Sequence, residues 1–190
     1  MKKKILFTGM VIISIILMLI TSINAQDKYF TRDGFISFFS STPVEDIKAN
    51  NQKVSCIIDV QSGKIELAVL MKAFEFKKAL MEEHFNENYV ESEKYPKATF
   101  SGMITNIKEI DFSKNGIYPA TVSGSLTIHG KTNEISTEGN IEVIDGNVKV
   151  SSEFLVIPED YGIEIPGVVR EKIAKELLVT LEALLAPFNR

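Results

Sequence analysis

Apolar and polar residues alternate along much of this chain, in runs that are separated by turn residues. Ile65, Leu67 and Val69 occupy every second position of one run, and the same period of two recurs over residues 118–129. A period of two indicates half-buried strands, because successive side chains of a strand point to opposite faces. Several such strands in series predict an antiparallel sheet with one apolar face. Closing the sheet into a barrel buries that face and leaves no open edge.

Turn residues divide the alternating runs into seven predicted strands. These are residues 34–40, 54–60, 64–74, 97–107, 117–129, 132–144 and 147–157. Residues 26–33 are polar and are expected to lead into the first strand.

Several short motifs predict the turns between these strands. The pairs Asn50-Asn51, Asn115-Gly116 and Asp145-Gly146 are turn signals, and the last two are typical of tight hairpins. A further tight turn is predicted at Gly130-Lys131. Gly124 and Gly139 fall inside strands, where glycine often marks a bend or a bulge.

The period changes in two segments of the chain. Over residues 76–88 apolar residues recur every three to four positions, which predicts one short amphipathic helix. Residues 173–185 fit a helical stripe and an alternating strand equally well. A barrel that lacked its last strand would expose an edge, which is costly. We therefore predict a short helix at 168–175 and an eighth strand at about 176–186.

The first 25 residues have the layout of a secretory signal peptide. A basic start is followed by an apolar run at residues 5–20 and by a short polar segment that ends at Ala25. The apolar run is shorter than the roughly 20 residues of a spanning helix. We therefore expect cleavage after Ala25 rather than a retained anchor. The predicted organisation is a signal peptide at 1–25 and one domain at 26–190, exported and without a stable membrane span.

Composition narrows the classes of function. With 18 basic and 25 acidic residues, the chain without its first 25 residues carries a formal charge of −7. It has no basic run, which excludes nucleic-acid binding as a function class. Cys56 is the only cysteine, so no internal disulfide is possible, and we interpret it as a small buried hydrophobe.

Residue types that carry catalysis are sparse. The chain has two histidines, His84 and His129, and no paired thiols, whereas a metal site needs several converging donors. No nucleophile elbow and no phosphate-binding glycine loop is present. We predict no enzyme, no catalytic residue, no metal site and no cofactor. His129 could orient the head group of a ligand, but we favour a structural role in which it hydrogen-bonds its own turn.

The inward-facing apolar residues form the candidate ligand-binding set. They are Leu67, Val69, Met71, Phe100, Val122, Leu126, Val150, Phe154, Val179 and Leu181. An eight-stranded barrel is either filled by its side chains or holds one small ligand, and the residues alone leave both readings open.

Three segments of the chain resemble the YceI-like, polyisoprenoid-binding family. They are residues 84–102, with a Tyr-Pro followed by Lys-Ala-Thr-Phe, residues 124–132, which read Gly-Ser-Leu-Thr-Ile-His-Gly-Lys-Thr, and residues 158–163. The resemblance implies a lipocalin-like barrel, export to the bacterial periplasm or beyond, and, for some members, a long isoprenoid or amphipathic lipid inside the barrel. Many members carry an arginine where this chain has Lys77 and Lys78, so a head-group contact through that arginine is not carried over.

These observations predict an all-β fold: an eight-stranded antiparallel lipocalin-like barrel with one or two short inserted helices. The predicted function is an exported lipid-binding protein, periplasmic or extracellular, that holds an isoprenoid-type or amphipathic lipid for sequestration or transport. The helix at 76–88 is expected to cover the mouth of the barrel. The alternative is a non-catalytic structural or interaction module with a solid core. The sequence identifies no protein partner.

Overall fold

Nine strands make up most of residues 27–188, the part of the chain that the computed structural model describes. The strands are β1 (Lys28–Ser41), β2 (Asp46–Asp59), β3 (Lys64–Leu70), β4 (Glu75–Phe76), β5 (Lys97–Ile104), β6 (Gly116–Ile128), β7 (Lys131–Ile144), β8 (Asn147–Val156) and β9 (Leu177–Pro187). The predicted signal peptide at 1–25 lies outside the described residues.

Eight of the strands close into an antiparallel barrel. Their order around the barrel is β1-β2-β3-β5-β6-β7-β8-β9, and β1 closes it by pairing with both β2 and β9. The two-residue strand β4 pairs only with β2, outside this circle. The predicted fold class is confirmed. The predicted eighth strand at about 176–186 is also confirmed as β9, which lies between β8 and β1 and removes both open edges.

The first two strands are longer than predicted, and the predicted lead-in at 26–33 and turn at Asn50-Asn51 are wrong. β1 begins at Lys28 because the polar residues pair with β2, as in Thr31↔Cys56. The ladder shifts register between Gly34 and Ile36, which places Asn51 in an irregular stretch of β2. Asn51 Nδ2 donates to Leu70 O at 2.8 Å, and its Oδ1 accepts from Lys53 N at 2.7 Å. Buried amide contacts therefore replace the expected turn.

Two other strands are shorter than predicted. β3 ends at Leu70 rather than at residue 74, because Met71–Ala73 forms a 3₁₀ turn. β5 ends at Ile104 rather than at residue 107, and the 11-residue connection to β6 that follows contains a second 3₁₀ turn (Ile107–Glu109).

Two predicted hairpin signals have different outcomes. Asn115-Gly116 does not form a tight hairpin. Asn115 instead exchanges hydrogen bonds with Asp145 of the neighbouring hairpin, from Nδ2 to Oδ1 and from Asp145 N to Asn115 Oδ1, both at 3.0 Å. Asp145-Gly146 is a tight hairpin as predicted, with φ of 47° and 81°. Positive φ at both residues matches the right-handed twist of the flanking strands.

The inserted helices are shorter than the pattern suggested. The helix predicted at 76–88 is α1 (Ala79–His84), followed by one π-helical turn (Phe85–Tyr89). It starts late because Phe76 belongs to β4 and its N–H donates to Glu82 Oε2 at 3.2 Å. A 3₁₀ helix (Gly167–Lys172) replaces the helix predicted at 168–175. Within residues 27–188, no helix has the length and apolarity needed to span a membrane.

One end of the barrel is filled by a tightly packed core. Ile58, Ile104, Ile141 and Leu185 are each at most 2 % exposed and belong to one cluster. Cys56 lies in the same cluster at 1 % exposure, as the sequence predicted. Burial raises the pKa of the Cys56 thiol to about 12, because desolvation disfavours the thiolate.

We expect Cys56 to be unreactive in the folded protein. The thiolate is the reactive form, and a raised pKa leaves almost none of it at pH 8. An aromatic disulfide reagent should modify no thiol in the native protein within hours and one thiol per chain in guanidinium chloride. A variant with an exposed thiol, Ser136→Cys, should react at once at the new site. Rapid modification of Cys56 in the native protein would contradict its placement in the core.

Candidate functional site

Next to this packed core, the barrel interior contains an apolar cavity of about 190 Å³, and Ile104 and Ile141 of the core are among its lining residues. All ten residues of the predicted ligand-binding set line it. Leu67, Val122 and Phe154 are half-buried, and the other seven are buried. This free space favours the predicted ligand-binding interior over the alternative of a solid core. An apolar cavity of about 150 Å³ can stay dry and take up an aromatic molecule such as benzene, so a space of this size can hold part of an apolar ligand.

Four phenylalanines surround one end of this cavity, and the predicted set omitted them. Phe38, Phe74 and Phe85 line the cavity, and Phe76 packs against two of them. The ring centroids of the contacting pairs lie 5.1–5.8 Å apart. Phe38 shares the inward face of β1 with Ile36, so its alternation was a usable signal. Phe74 and Phe85 come from irregular segments whose direction no period predicts.

Two connecting segments cover this end of the barrel. Residues 71–96 contribute Met71, Phe74 and Val90 to a buried cluster, and residues 157–176 contribute Ile163 and Ile165 to the same cluster. The sequence predicted that the helix in the first segment would cover the mouth. The structure adds the second segment, which the sequence analysis had not assigned to the site.

His129 joins both covering segments to the β6–β7 turn. Its Nε2 lies 2.7 Å from Glu91 Oε2, and its Nδ1 lies 3.3 Å from the carbonyl oxygen of Tyr161. The ring of Tyr95 packs edge-on against the imidazole at 4.5 Å. The favoured structural role is therefore observed, but with different partners: His129 bonds two other loops rather than its own turn. It does not line the cavity, so it does not contact a ligand there.

We expect His129→Asn to loosen the covering segments. Asparagine tolerates the positive φ of 51° at this position but reaches neither partner. Loss of hydrogen bonds, one of them to a carboxylate, should cost about 1–3 kcal/mol of unfolding free energy. Amide hydrogen exchange should accelerate in residues 85–96 and 158–163. His84→Asn, at the exposed second histidine, is the control and should change neither quantity. Unchanged exchange in both segments of His129→Asn would show that the histidine does not hold them.

Three of the hydroxyl residues that line the cavity, Thr137, Ser151 and Ser152, lie at the boundary between β7 and β8, whereas Ser37 and Thr99 lie on β1 and β5. Thr137 Oγ1 is 3.2 Å from Ser152 Oγ, and Ser152 Oγ donates to the carbonyl oxygen of Glu138 at 2.7 Å. Most of the remaining lining is aliphatic or aromatic. Such a wall gives affinity through apolar contact and orientation through a few polar groups.

The described residues do not form a recognisable catalytic arrangement. Ser125 Oγ donates to Glu134 rather than to His129, whose ring nitrogens face Glu91 and Tyr161. A nucleophile would need a base within hydrogen-bond reach. Residues 27–188 also bring no three metal-binding side chains together.

Comparison with solved structures supports the same architecture. A polyisoprenoid-binding domain from Saccharophagus degradans, implicated in plant cell wall breakdown, superposes with a TM-score of 0.74 at 16% identity and covers 85% of this chain and 99% of its own. BcnA from Burkholderia cenocepacia gives 0.66 at 16% identity, with 80% and 96% covered. A Campylobacter jejuni YceI protein gives 0.54 at 16% identity, with 75% and 85% covered. At this identity the likeness shows the fold.

Sequence comparison assigns the family. No curated protein matches this chain. The model of the YceI-like domain matches residues 30–185, which extend from the third residue of β1 almost to the end of β9 and include both covering segments. Because the match covers most of the sequence and nearly all of the barrel, this chain belongs to the YceI-like domain family.

Proposed function

We propose that this protein is an exported carrier or scavenger that holds an isoprenoid-type or amphipathic lipid in its barrel. The observation that supports the proposal most strongly is the apolar cavity, with aliphatic and phenylalanine side chains around it. Enclosing a hydrocarbon chain there gains roughly 25 cal/mol for each Å² of apolar surface removed from water. The polyisoprenoid-binding domain of S. degradans has the same fold, which supports the same ligand class for this chain.

The volume of the cavity bears on which part of the ligand is enclosed. Sites for drug-sized ligands span about 300–1,000 Å³, and this cavity has about 190 Å³. A long polyisoprenoid would therefore place only part of its chain inside unless the covering segments move. This proposal favours a ligand with one short apolar chain, or the end of a longer one.

Lipid extraction and native mass spectrometry test the proposed binding. The protein is purified without detergent, and its mass is measured before and after organic extraction. We expect an adduct that extraction removes, and we expect the extracted protein to bind the apolar fluorophore N-phenyl-1-naphthylamine with a rise in emission. A protein that carries no adduct and excludes both this fluorophore and short polyprenols would refute lipid binding.

Export is tested separately. The proposal rests on the signal-like first 25 residues. The full chain is expressed in a Gram-negative host, and the cell fractions are separated. We expect the protein outside the cytoplasm with Gln26 as its first residue. Retention in the cytoplasm with an intact N-terminus would refute export but would leave the binding proposal unaffected.

A further inference from the structure

The barrel wall is incomplete between β7 and β8. Their ladder runs from Ile144↔Asn147 to Gly139↔Ser152, and within residues 27–188 it extends no further. Residues 131–138 of β7 still pair with β6, and residues 153–156 of β8 still pair with β9. Two strands that remain paired on their outer sides but not with each other diverge. We call this unpaired stretch between residues 131–138 and 153–156 the β7–β8 split.

Burial of the inward side chains changes at the split. In the paired part of the β7–β8 ladder, Ile141 of β7 is 2 % exposed and Val148 of β8 is fully buried. Beside the split, the inward residues Ile135 and Phe154 are only half-buried, although both line the cavity. Leu67 and Val122 line the cavity and are half-buried as well, although their ladders are continuous, so the missing ladder and not the exposure identifies the opening.

An outer groove meets the cavity at the base of the split. The groove, of about 620 Å³, lies on the outside of β6 to β9, between side chains such as Glu138 and Glu153. Gly139 and Ser152 line both the groove and the inner cavity. These two small residues form the last pair of the ladder, at the point where the split begins.

Polar groups along the split are only partly used. The carbonyl of Glu138 accepts from Ser152 Oγ, which shows that the even-numbered residues of this part of β7 direct their backbone groups towards β8. The ladder to β8 does not reach Glu134 or Ser136. At the far end of the split, Asn133 Nδ2 donates to the carbonyl oxygen of Asp160 at 3.0 Å. Between Asn133 and Glu138, the edge of β7 that faces β8 therefore offers backbone N–H and C=O groups to the polar part of a ligand.

The charges on the two edges disfavour an anionic group. The unpaired residues carry three carboxylates, Glu134, Glu138 and Glu153, against one ammonium, Lys131 at the turn. A phosphate placed beside these carboxylates would be repelled, whereas a hydroxyl or carbonyl group would not.

From these observations we propose that the β7–β8 split is a lateral entrance through which an uncharged amphiphile enters the cavity, its polar end remaining at the split. This inference rests on the proposed lipid binding and specifies its route and ligand class. The apolar end passes between Ile135 and Phe154, and Thr137, Ser152 and the free backbone groups bind the polar end. The end covered by residues 71–96 and 157–176 then stays closed during uptake.

A crosslink across the β7–β8 split (called a staple below) tests whether the ligand enters there. Ser136 and Leu155 are the outward residues three positions beyond the last pair, one on each edge. The double variant Ser136→Cys/Leu155→Cys is crosslinked with a short bismaleimide, and uptake and release of N-phenyl-1-naphthylamine are followed by stopped flow. We expect both rates to fall about tenfold or more and the equilibrium affinity to stay within about twofold, because a blocked path changes kinetics and not the bound state.

Two further staples serve as matched comparisons. Phe39→Cys/Leu178→Cys joins outward residues that are already paired between β1 and β9, and it should leave both rates unchanged. Glu45→Cys/Lys78→Cys fixes the helical segment to the β1–β2 turn, where the two side chains lie 2.7 Å apart, and it should also leave the rates unchanged. If this staple slows uptake and the split staple does not, the lateral route is overturned and lipid binding stands. If the unmodified protein takes up no fluorophore, the proposed function fails first.

A pair of amphiphiles tests the ligand class. Dodecan-1-ol and dodecyl phosphate have the same chain and compete for the bound fluorophore. We expect the alcohol to bind about tenfold more tightly, because the phosphate faces the carboxylates of the split. The variant Glu138→Gln/Glu153→Gln should narrow this difference. Equal or tighter binding of dodecyl phosphate by the unaltered protein would overturn the assignment of an uncharged polar end.

Discussion

Replacing Val122 by tryptophan is expected to weaken ligand binding nearly a hundredfold while leaving the barrel folded. Val122 faces inward on β6, between Ile104 of β5 and Thr137 of β7, and it lines the cavity. An indole ring at this position would occupy the space of the ligand. If it displaces roughly 100 Å² of apolar ligand contact, the loss is about 2.5 kcal/mol, or nearly a hundredfold in affinity.

The same variant distinguishes a cavity from a packed interior. An inserted ring costs about 1–3 kcal/mol in a filled core, whereas an existing space absorbs much of that cost. We expect a loss of unfolding free energy below about 1 kcal/mol, measured by guanidinium titration with circular dichroism. Ile117→Trp is the control, because Ile117 points outward on the same strand and is 66 % exposed. Unchanged binding of N-phenyl-1-naphthylamine by Val122→Trp would place the ligand outside this cavity.

Replacing Gly124 by alanine should strongly destabilise the barrel. A methyl group at this position would lie 2.4 Å from the Cα of Gly102 and 2.4 Å from the carbonyl oxygen of Ser101. Both contacts are to the backbone of β5, which cannot rotate away as a side chain could. The strands would have to separate, and we expect a loss of about 3 kcal/mol or more of unfolding free energy.

Two other glycines make this prediction specific. Gly139→Ala should also be severe, because its methyl group would meet the carbonyl oxygen of Ser151 at 2.4 Å. Gly167→Ala is the control, since nothing lies within 4 Å of its added methyl group, and its stability should stay within about 0.5 kcal/mol of the parent. Guanidinium titrations of the three variants supply the comparison. A midpoint for Gly124→Ala equal to that of Gly167→Ala would show that β5 and β6 are not in close approach.

The alternation of apolar and polar residues was sufficient to predict the barrel and which side chains point into its interior. All ten residues predicted to face inward do line the cavity, because the period of two fixes the face of every residue once one face is buried. The last strand, β9, could be predicted only from the argument that a barrel without it would expose an open edge, since its residues fit a helix equally well. Whether these ten residues bind a ligand stays a prediction.

Local pattern failed where a residue's role depends on a distant partner. Asn50-Asn51 reads as a turn, but the amide of Asn51 is satisfied by the backbone of Leu70, 19 positions away. His129 reads as a turn residue, but its partners lie 38 and 32 positions away. Such contacts become visible only when the strands have brought the loops together.

The sequence by itself determined that this protein is a closed antiparallel barrel with an apolar inner face, because side-chain direction in a strand is a local property. Only the tertiary structure decided that the inner face encloses free space, that phenylalanines from β1 and a covering segment surround one end of it, and that β7 and β8 part beside it. Free space depends on the summed volumes of side chains from all eight strands. The split depends on how two twisted strands diverge, and residues 131–138 read as an ordinary strand because their pairing with β6 is intact.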